Sequence, residues 1–262
     1  MNLIARSNFW FRLLFFEIEY MSQKPSLFTS LSPALLHLYD VHNTVVVVID
    51  VFRATSTIAS ALHNGANCII PVDAVSKAVA ISKELGGIAA GERDGKLAEG
   101  LQYGNSPLEY SREFIQDKIL VLTTTNGTKL LHMALANGAE DIVTGSFPNL
   151  SAICQYLITQ NKNVVLACAG WKDRFNIEDT LFAGAIIHRV KDHFCIHCDS
   201  SFMAENIYLP NKTNLLKYAE DLTHYHRLVN RFGYIDDIEF CLTEDVANVL
   251  PLFKDGKLVV AN

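Results

Sequence analysis

The sequence lacks any apolar run of the roughly 18–20 residues that a membrane-spanning helix requires, so we expect no membrane partner. Positive charge is also scarce, since 22 Lys and Arg stand against 28 Asp and Glu, a formal net charge of −6. Nucleic-acid-binding domains carry a basic face, so we expect no nucleic-acid partner. A small anionic ligand is compatible with this balance, because it needs only a local cluster of positive charge. A homodimer is the assembly we consider.

Clustered cysteines are likewise missing. A chain of 262 residues can bury a sufficient core without disulfide bonds. We therefore predict reduced thiols and a cytoplasmic location. The six scattered cysteines are Cys68, Cys154, Cys168, Cys195, Cys198 and Cys241.

Residues 1–20 carry little structural information. They mix Arg, bulky aromatic residues and two Glu, without the small-residue cleavage site of a signal peptide. We expect a poorly ordered N-terminal extension, with Met21 as the functional start. Residues 21–262 are expected to form a single α/β domain.

Strand-like and helix-like segments alternate over most of the chain. The run VVVVID at 45–50 is apolar and β-branched without interruption, which predicts a central buried strand. Residues 200–235 are predicted to be helical, whereas 236–240 and 258–260 are predicted as edge strands. This alternation predicts a layered α/β/α fold with a largely parallel or mixed sheet.

An internal repeat supports that fold. Residues 45–73 align with 118–146 without gaps, and Asn-Gly-Ala recurs at 64–66 and 137–139. Each copy has the order strand, polar loop, helix, Asn-Gly-Ala, strand, which is a βαβ unit. The sequence therefore predicts an internal duplication of a βαβ unit with two equivalent loops.

The loop after the first predicted strand is rich in polar residues. Asp50 stands at the strand end, Arg53 lies in the loop, and Thr55 and Ser56 open the next helix. Ligands of open α/β sheets collect at the carboxyl ends of strands, and a helix N-terminus favours phosphate. A buried carboxylate is costly unless it is paired, which makes Asp50 a predicted Mg²⁺ ligand. A helix cap or an ion pair with Arg53 is the structural alternative.

The equivalent loop of the second copy reads Thr123-Thr124-Thr125-Asn126-Gly127-Thr128. It lacks the Lys of a nucleotide-binding P-loop. Its hydroxyl and backbone groups could hold an anion, or they could only cap the helix. Because the repeat relates the two loops, we expect them to face one ligand from two sides.

A third polar stretch surrounds charged residues with glycines. It contains Glu92 and Arg93, and Asn105 and Ser106 follow shortly after. Arg93 suits bidentate binding of phosphate or sulfonate oxygens, and Glu92 could bind a metal or act as a general base. A solvated turn is the alternative.

The fourth polar loop allows two kinds of phosphatase chemistry. Cys168 and Arg174 stand six positions apart, the spacing found in cysteine-dependent phosphatases. Such a cysteine is more often a small core residue. Glu178 and Asp179 begin the next helix, where they could bind a metal, transfer a proton or cap the helix.

Taken in order and spacing, five motifs resemble one known family. They are VVVVIDVFRATSTI, GERDGKLAEGLQYGNSPLEY, TTTNGTK, CAG and FNIEDTLFAG. The chain resembles the 2-phosphosulfolactate phosphatase (ComB) family over residues 32–256. This resemblance implies an α/β fold and a Mg²⁺-dependent acid phosphatase. Its reaction converts 2-phosphosulfolactate to sulfolactate and phosphate, a step of coenzyme M biosynthesis.

The resemblance selects positions without assigning each one a role. We expect catalysis from Asp50, Arg53, Glu92 and Asp179, and metal binding from Asp50, Glu178 and Asp179. The remaining motif positions, together with Arg53, are expected to bind the substrate. A cysteine phosphatase and a non-catalytic protein that binds an anionic metabolite are the alternatives. The substrate-binding positions are Arg53, Thr55, Ser56, Arg93, Asn105, Ser106, Thr124, Thr125, Asn126, Gly127, Thr128 and Cys168.

Overall fold

The computed structural model describes residues 24–261, in which ten strands form one sheet. The predicted extension at residues 1–20 and the predicted start at Met21 lie outside the described residues. The strands are β1 (Leu27–Ser30), β2 (Thr44–Ile49), β3 (Cys68–Pro71), β4 (Ile88–Arg93), β5 (Lys96–Leu97), β6 (Ile119–Thr123), β7 (Asp141–Gly145), β8 (Asn163–Cys168), β9 (Pro251–Lys254) and β10 (Lys257–Val260).

Helices cover the sheet and form most of the C-terminal third. Within residues 24–261, none of them is both long and apolar enough to cross a membrane. The α helices are α1 (Ala54–His63), α2 (Val75–Leu85), α3 (Arg112–Ile115), α4 (Gly127–Ala136), α5 (Leu150–Gln160), α6 (Ile177–Val190), α7 (Asp199–Asn211), α8 (Leu215–Ala219), α9 (Thr223–Phe232) and α10 (Ile235–Leu242), and two short 3₁₀ helices span Pro33–Leu38 and Phe147–Asn149.

The sheet consists of two parallel groups joined by a hairpin. Its strand order is β1-β8-β2-β7-β9-β10-β3-β6-β4-β5. The first four strands in this order, β1, β8, β2 and β7, are parallel to one another. The strands β3, β6 and β4 are also parallel to one another. The β9–β10 hairpin is antiparallel to its neighbour on each side, so the two groups run in opposite directions. The prediction of a layered α/β fold with a largely parallel or mixed sheet is confirmed.

The core lies on both faces of this sheet. Alternate residues of β2 point to opposite faces, as the pleat requires. Val47 packs in a cluster with Phe182 of α6, whereas Val48 packs in another with Leu62 of α1 and Leu130 of α4. Burial on both faces explains why the strand sequence is apolar without alternation.

The two copies of the repeat fold in the same way. β2-α1-β3 crosses from one parallel group to the other, and β6-α4-β7 crosses back. At the end of α1, the backbone N–H of Ala66 donates to the carbonyl of Ala61 at 2.9 Å. At the end of α4, the N–H of Ala139 donates to the carbonyl of Ala134 at 3.0 Å. The predicted duplication therefore extends to individual hydrogen bonds.

Both edge-strand predictions for the C-terminal region are wrong. Residues 236–240 belong to α10, whose buried Ile238, Cys241 and Leu242 have helical spacing. Acidic residues in its first turn also suit a helix. Residues 258–260 do form a strand, but β10 lies in the middle of the sheet instead of at its edge.

Candidate active site

The turns that follow β2 and β6 lie against each other. A Cβ at Gly127 would be 2.9 Å from both the Cβ of Ala54 and Oδ2 of Asp50, so only glycine allows the two helix starts to meet. The backbone N–H groups of Gly127 and Ala54 face the Asp50 carboxylate and favour its ionised form. The predicted meeting of the two loops is therefore present. The anion at the two helix N-termini, however, is the protein's own carboxylate, where we had expected a phosphate.

A narrow cleft opens beside Asp50. Its empty volume, about 360 Å³ including the part open to solvent, is large enough for a small ligand. Residues from both repeat loops, from the third polar stretch and from α9 meet there. The lining residues are Asp50, Phe52, Arg53, Glu92, Gly95, Asn105, Thr125, Asn126, Trp171, His224, Arg227 and Leu228.

Negative charge accumulates around this cleft. Burial is the main cause that raises the pKa of Asp50 to about 7, and the nearby charges of Glu92 and Glu178 add to it. Burial, followed by the charges of Glu178 and Asp50, also raises the pKa of Asp179 well above its usual range. These carboxylates cannot all be ionised at neutral pH without a compensating positive charge.

Glu92 joins the third polar stretch to the second repeat loop. Its Oε1 accepts a hydrogen bond from the N–H of Thr125 at 2.6 Å, and Oε2 accepts one from the N–H of Gly95 at 2.7 Å. Two backbone donors fix the carboxylate at the cleft wall, where the sequence predicted a metal ligand or a base.

Glu178 and Asp179 are near this group but do not line the cleft. Oδ1 and Oδ2 of Asp179 each accept a backbone N–H at 2.9 Å, from Val51 and Gly170 respectively. Oε1 of Glu178 lies 2.5 Å from Nδ1 of His224. These contacts hold the surrounding loops together, and metal binding by the two residues stays a prediction.

Arg53 is engaged within the protein. Its Nη1 donates to the carboxylate of Asp237, and both side chains are almost fully buried, at 3% and 7% exposure. Nη2 donates to the carbonyl of Gly95 at 3.3 Å, and the guanidinium carbon lies 3.9 Å from the ring centroid of Tyr234. Ser106 donates to Asp237 at 2.7 Å, so it supports this pair and does not line the cleft.

Several hydroxyl groups that were predicted to bind the substrate instead donate hydrogen bonds to backbone carbonyls of their own turns. Those of Thr55 and Ser56 donate to carbonyls five residues earlier, each at 2.9 Å. The hydroxyl of Thr128 donates to the carbonyl of Thr124 at 2.8 Å. Ser and Thr at the start of a helix make such local bonds readily. These four residues do not line the cleft, whereas Thr125 and Asn126 do.

Arg93 lies in a neighbouring groove with Lys129 and His132. It donates to the carbonyl of Glu92 at 2.6 Å and to the hydroxyl of Thr123 at 2.8 Å. Adjacent residues of a strand point to opposite faces, which separates Arg93 from the Glu92 carboxylate. A contact between Arg93 and the substrate stays a prediction. The position of Arg93 outside the cleft does not favour it.

Asn105 carries an unsatisfied acceptor at the cleft. Asn105 is only 4% exposed, and its Oδ1 has no hydrogen-bond partner within residues 24–261. A buried polar atom without a partner costs free energy, so a ligand or an ion that pairs with it would be favoured.

Two cleft residues of α9 were not singled out from the sequence. His224 and Arg227 are three positions apart, so they lie on the same side of the helix. The segment reads as an ordinary polar helix, and it begins about 40 residues after the last motif, which ends at Gly184. Only the strong separation of polar and apolar residues on this helix indicates that one of its faces packs against the rest of the protein.

Cys168 does not have the surroundings of a catalytic thiol. The residue is fully buried and does not line the cleft. Burial, with the charge of Asp179, raises the pKa of its thiol well above the usual value. Arg174, its counterpart in a cysteine phosphatase, is exposed. The geometry therefore does not favour a cysteine nucleophile.

The donor set fits a hard divalent cation by charge and chemistry. Asp50, Glu92 and the unpartnered Oδ1 of Asn105 all line one cleft. Within residues 24–261, no three Asp, Glu, His or Cys side chains are already arranged to hold a metal. Mg²⁺ needs only one or two carboxylates, because it keeps several waters.

Comparison with known proteins agrees with the motifs. The family model described as 2-phosphosulpholactate phosphatase matches residues 30–256. A Thermotoga maritima protein is 41% identical over 214 residues, which cover 82% of this chain and 91% of the relative. A Caldanaerobacter subterraneus protein is 38% identical over 234 residues, covering 84% and 96%. A Clostridium acetobutylicum protein is 35% identical over 225 residues, covering 84% and 93%. Each relative bears the name "Probable 2-phosphosulfolactate phosphatase".

Proposed function

The chain belongs to the 2-phosphosulfolactate phosphatase family, and we propose that it is a Mg²⁺-dependent phosphatase. Its substrate would be 2-phosphosulfolactate, or a similar small anionic phosphomonoester, and its products the free hydroxy acid and phosphate. The observation that carries the proposal is the acid-lined cleft where the helices of both repeat copies begin.

The negative charge of the cleft supports the proposal that it binds Mg²⁺. A phosphomonoester would not approach Asp50 and Glu92 closely unless a cation intervened. When bound, Mg²⁺ would supply positive charge that neutralises the phosphate and stabilises the charge of the transition state. Asp50 and Asn105 are the residues we propose to hold it.

Two residues of the chain would serve as the general base and the general acid of the reaction. We assign Glu92 as the base that takes a proton from the attacking water, because two backbone N–H groups fix its carboxylate at the cleft. We assign His224 as the acid that protonates the departing alkoxide oxygen. The contact of its Nδ1 with Glu178 orients the ring, as a carboxylate does for many catalytic histidines.

Phosphate release from 2-phosphosulfolactate by the full-length chain tests this function. We expect turnover with Mg²⁺ and a loss of at least about 100-fold in EDTA, since the cation supplies several kcal/mol of stabilisation. Glu92→Gln and His224→Asn should each lower kcat by about 10²–10⁴-fold, the usual contribution of general acid–base catalysis.

Matched controls are available beside both residues. Glu99 and His226 are exposed, so Glu99→Gln and His226→Asn should keep wild-type rates. Turnover that survives EDTA, or wild-type rates in Glu92→Gln, would contradict the assignment. A cytoplasmic location, a place in coenzyme M biosynthesis and a homodimer stay predictions of the sequence.

A further inference from the structure

Two guanidinium groups line the cleft, and their surroundings differ. Arg53 is paired with Asp237, bonded to the carbonyl of Gly95 and stacked on Tyr234. Arg227 has no hydrogen-bonded or ion-paired carboxylate among residues 24–261, although Glu178, Asp94 and Glu92 act on it through space. Its planar group lies over the ring of Trp171 instead, with the guanidinium carbon 3.9 Å from the ring centroid.

The platform beneath Arg227 is rigidly built. The N–H of Trp171 donates to the carbonyl of Arg174 at 3.0 Å, and the N–H of Arg174 donates back at 3.1 Å. Lys172 and Asp173 between them both have positive φ, as a tight two-residue turn requires. This turn fixes the backbone of Trp171, whose side chain lines the cleft.

A second anchor fixes the helix that carries Arg227. His224 lies one turn earlier on α9, and its Nδ1 contacts the buried carboxylate of Glu178. Arg227 is thus held by stacking beneath it and by its helix, while its N–H donors are not used by a carboxylate. A preorganised guanidinium of this kind binds planar pairs of oxygens with little further ordering.

From this geometry we infer that Arg227 binds a second anionic group of the substrate, the carboxylate or sulfonate that is not transferred, and that Trp171 positions it. The inference rests on the proposed function, and it names the cation that selects phosphoesters with a second anionic group over simple ones. The acidic wall formed by Asp50 and Glu92 would face the phosphoryl group. Arg227 and Trp171 would face the other end of the molecule.

Kinetics with three substrates test this assignment. They are 2-phosphosulfolactate, 2-phospholactate, which lacks the sulfonate, and 4-nitrophenyl phosphate, which lacks any second anion. In Arg227→Met, we expect kcat/KM for 2-phosphosulfolactate to fall about 10- to 100-fold through KM, the value of a lost charged hydrogen-bond pair. The rate with 4-nitrophenyl phosphate should change little. A loss for 2-phospholactate as well would identify the carboxylate as the bound group, whereas a loss confined to 2-phosphosulfolactate would identify the sulfonate.

Further variants separate positioning from folding. Arg231 is exposed on the same helix and lies over Phe232, so Arg231→Met is the matched control and should retain the wild-type KM. Trp171→Phe should keep most of the affinity, whereas Trp171→Leu should raise KM selectively for the two substrates that carry a second anionic group. Equal losses on all three substrates, or no loss on any, would overturn the inference.

Direct binding keeps the inference testable if no phosphatase activity is found. Sulfolactate and lactate can be titrated calorimetrically into wild type and Arg227→Met. We expect Arg227→Met to bind sulfolactate at least about 10-fold more weakly than wild type. An equal loss for lactate would identify the carboxylate as the bound group, and a loss for sulfolactate alone the sulfonate. Unchanged affinity in the variant would refute the role of Arg227 while leaving the proposed function to its own assay.

Discussion

Replacing Asp50 by asparagine should change how the stability of the metal-free protein depends on pH. The folded pKa of Asp50 is raised from 3.8 to about 7, chiefly by burial and then by the charges of Glu92 and Glu178. The folded state therefore holds a proton that the unfolded state has already lost between about pH 4 and pH 7. Because the folded state binds more protons, its stability must fall as pH rises through this window.

The size of the effect follows from the two pKa values. For one group that titrates at about 7 when folded and at 3.8 when unfolded, the free energy of unfolding falls by about 2–3 kcal/mol between pH 5 and pH 8. The amide of the Asp50→Asn variant carries no such charge, so this part of the pH dependence should disappear. The variant should match wild type near pH 5 and exceed its stability near pH 8, although it loses activity.

Urea denaturation in EDTA at pH 5, 6, 7 and 8 measures the difference. Asp192→Asn is the matched control, because Asp192 is exposed and far from the cleft in sequence. It should follow the wild-type curve. Parallel curves for wild type and Asp50→Asn would refute the claim that this carboxylate is held ionised at a cost. Added Mg²⁺ should stabilise wild type most at pH 8 and Asp50→Asn much less.

Other substitutions test the supporting contacts. Asp237→Asn should lower the free energy of unfolding by about 3–5 kcal/mol in urea titrations, because it leaves buried Arg53 without a charged partner; exposed Asp236→Asn is its control. Gly127→Ala should lower it by about 1–3 kcal/mol and reduce activity, since the new Cβ would be 2.9 Å from the Ala54 Cβ and Asp50 Oδ2. Cys168→Ala should keep most of its phosphatase activity, and inactivation of this variant in the phosphate-release assay would restore the thiol mechanism.

Local patterns predicted the repeated units well. The uninterrupted apolar run at 45–50 reports burial on both faces, and the two Asn-Gly-Ala segments end α1 and α4 with equivalent hydrogen bonds. These signals lie within short segments, where side-chain size and backbone preference decide the structure. The internal repeat, and not a local preference, predicted that Asp50 and the second repeat loop would lie at one site.

What the sequence did not predict depends on contacts between distant segments. The opposite directions of the two parallel groups depend on the β9–β10 hairpin, which lies over 100 residues from β7. The partner of Arg53 is Asp237, in a segment predicted to be a strand. His224 and Arg227 enter the cleft from a helix whose sequence carries no motif. Which of the two residues faces the cleft, Glu92 or Arg93, likewise depends on the assembled sheet.

A crystal soaked with Mn²⁺, as a substitute for Mg²⁺, gives the most direct test of the acid-lined cleft. Anomalous scattering locates the ion without reference to activity. We predict a peak within coordinating distance of a carboxylate oxygen of Asp50 and near Oδ1 of Asn105, in the cleft that Glu92 also lines. A fully occupied peak elsewhere, with none in this cleft, would contradict the account.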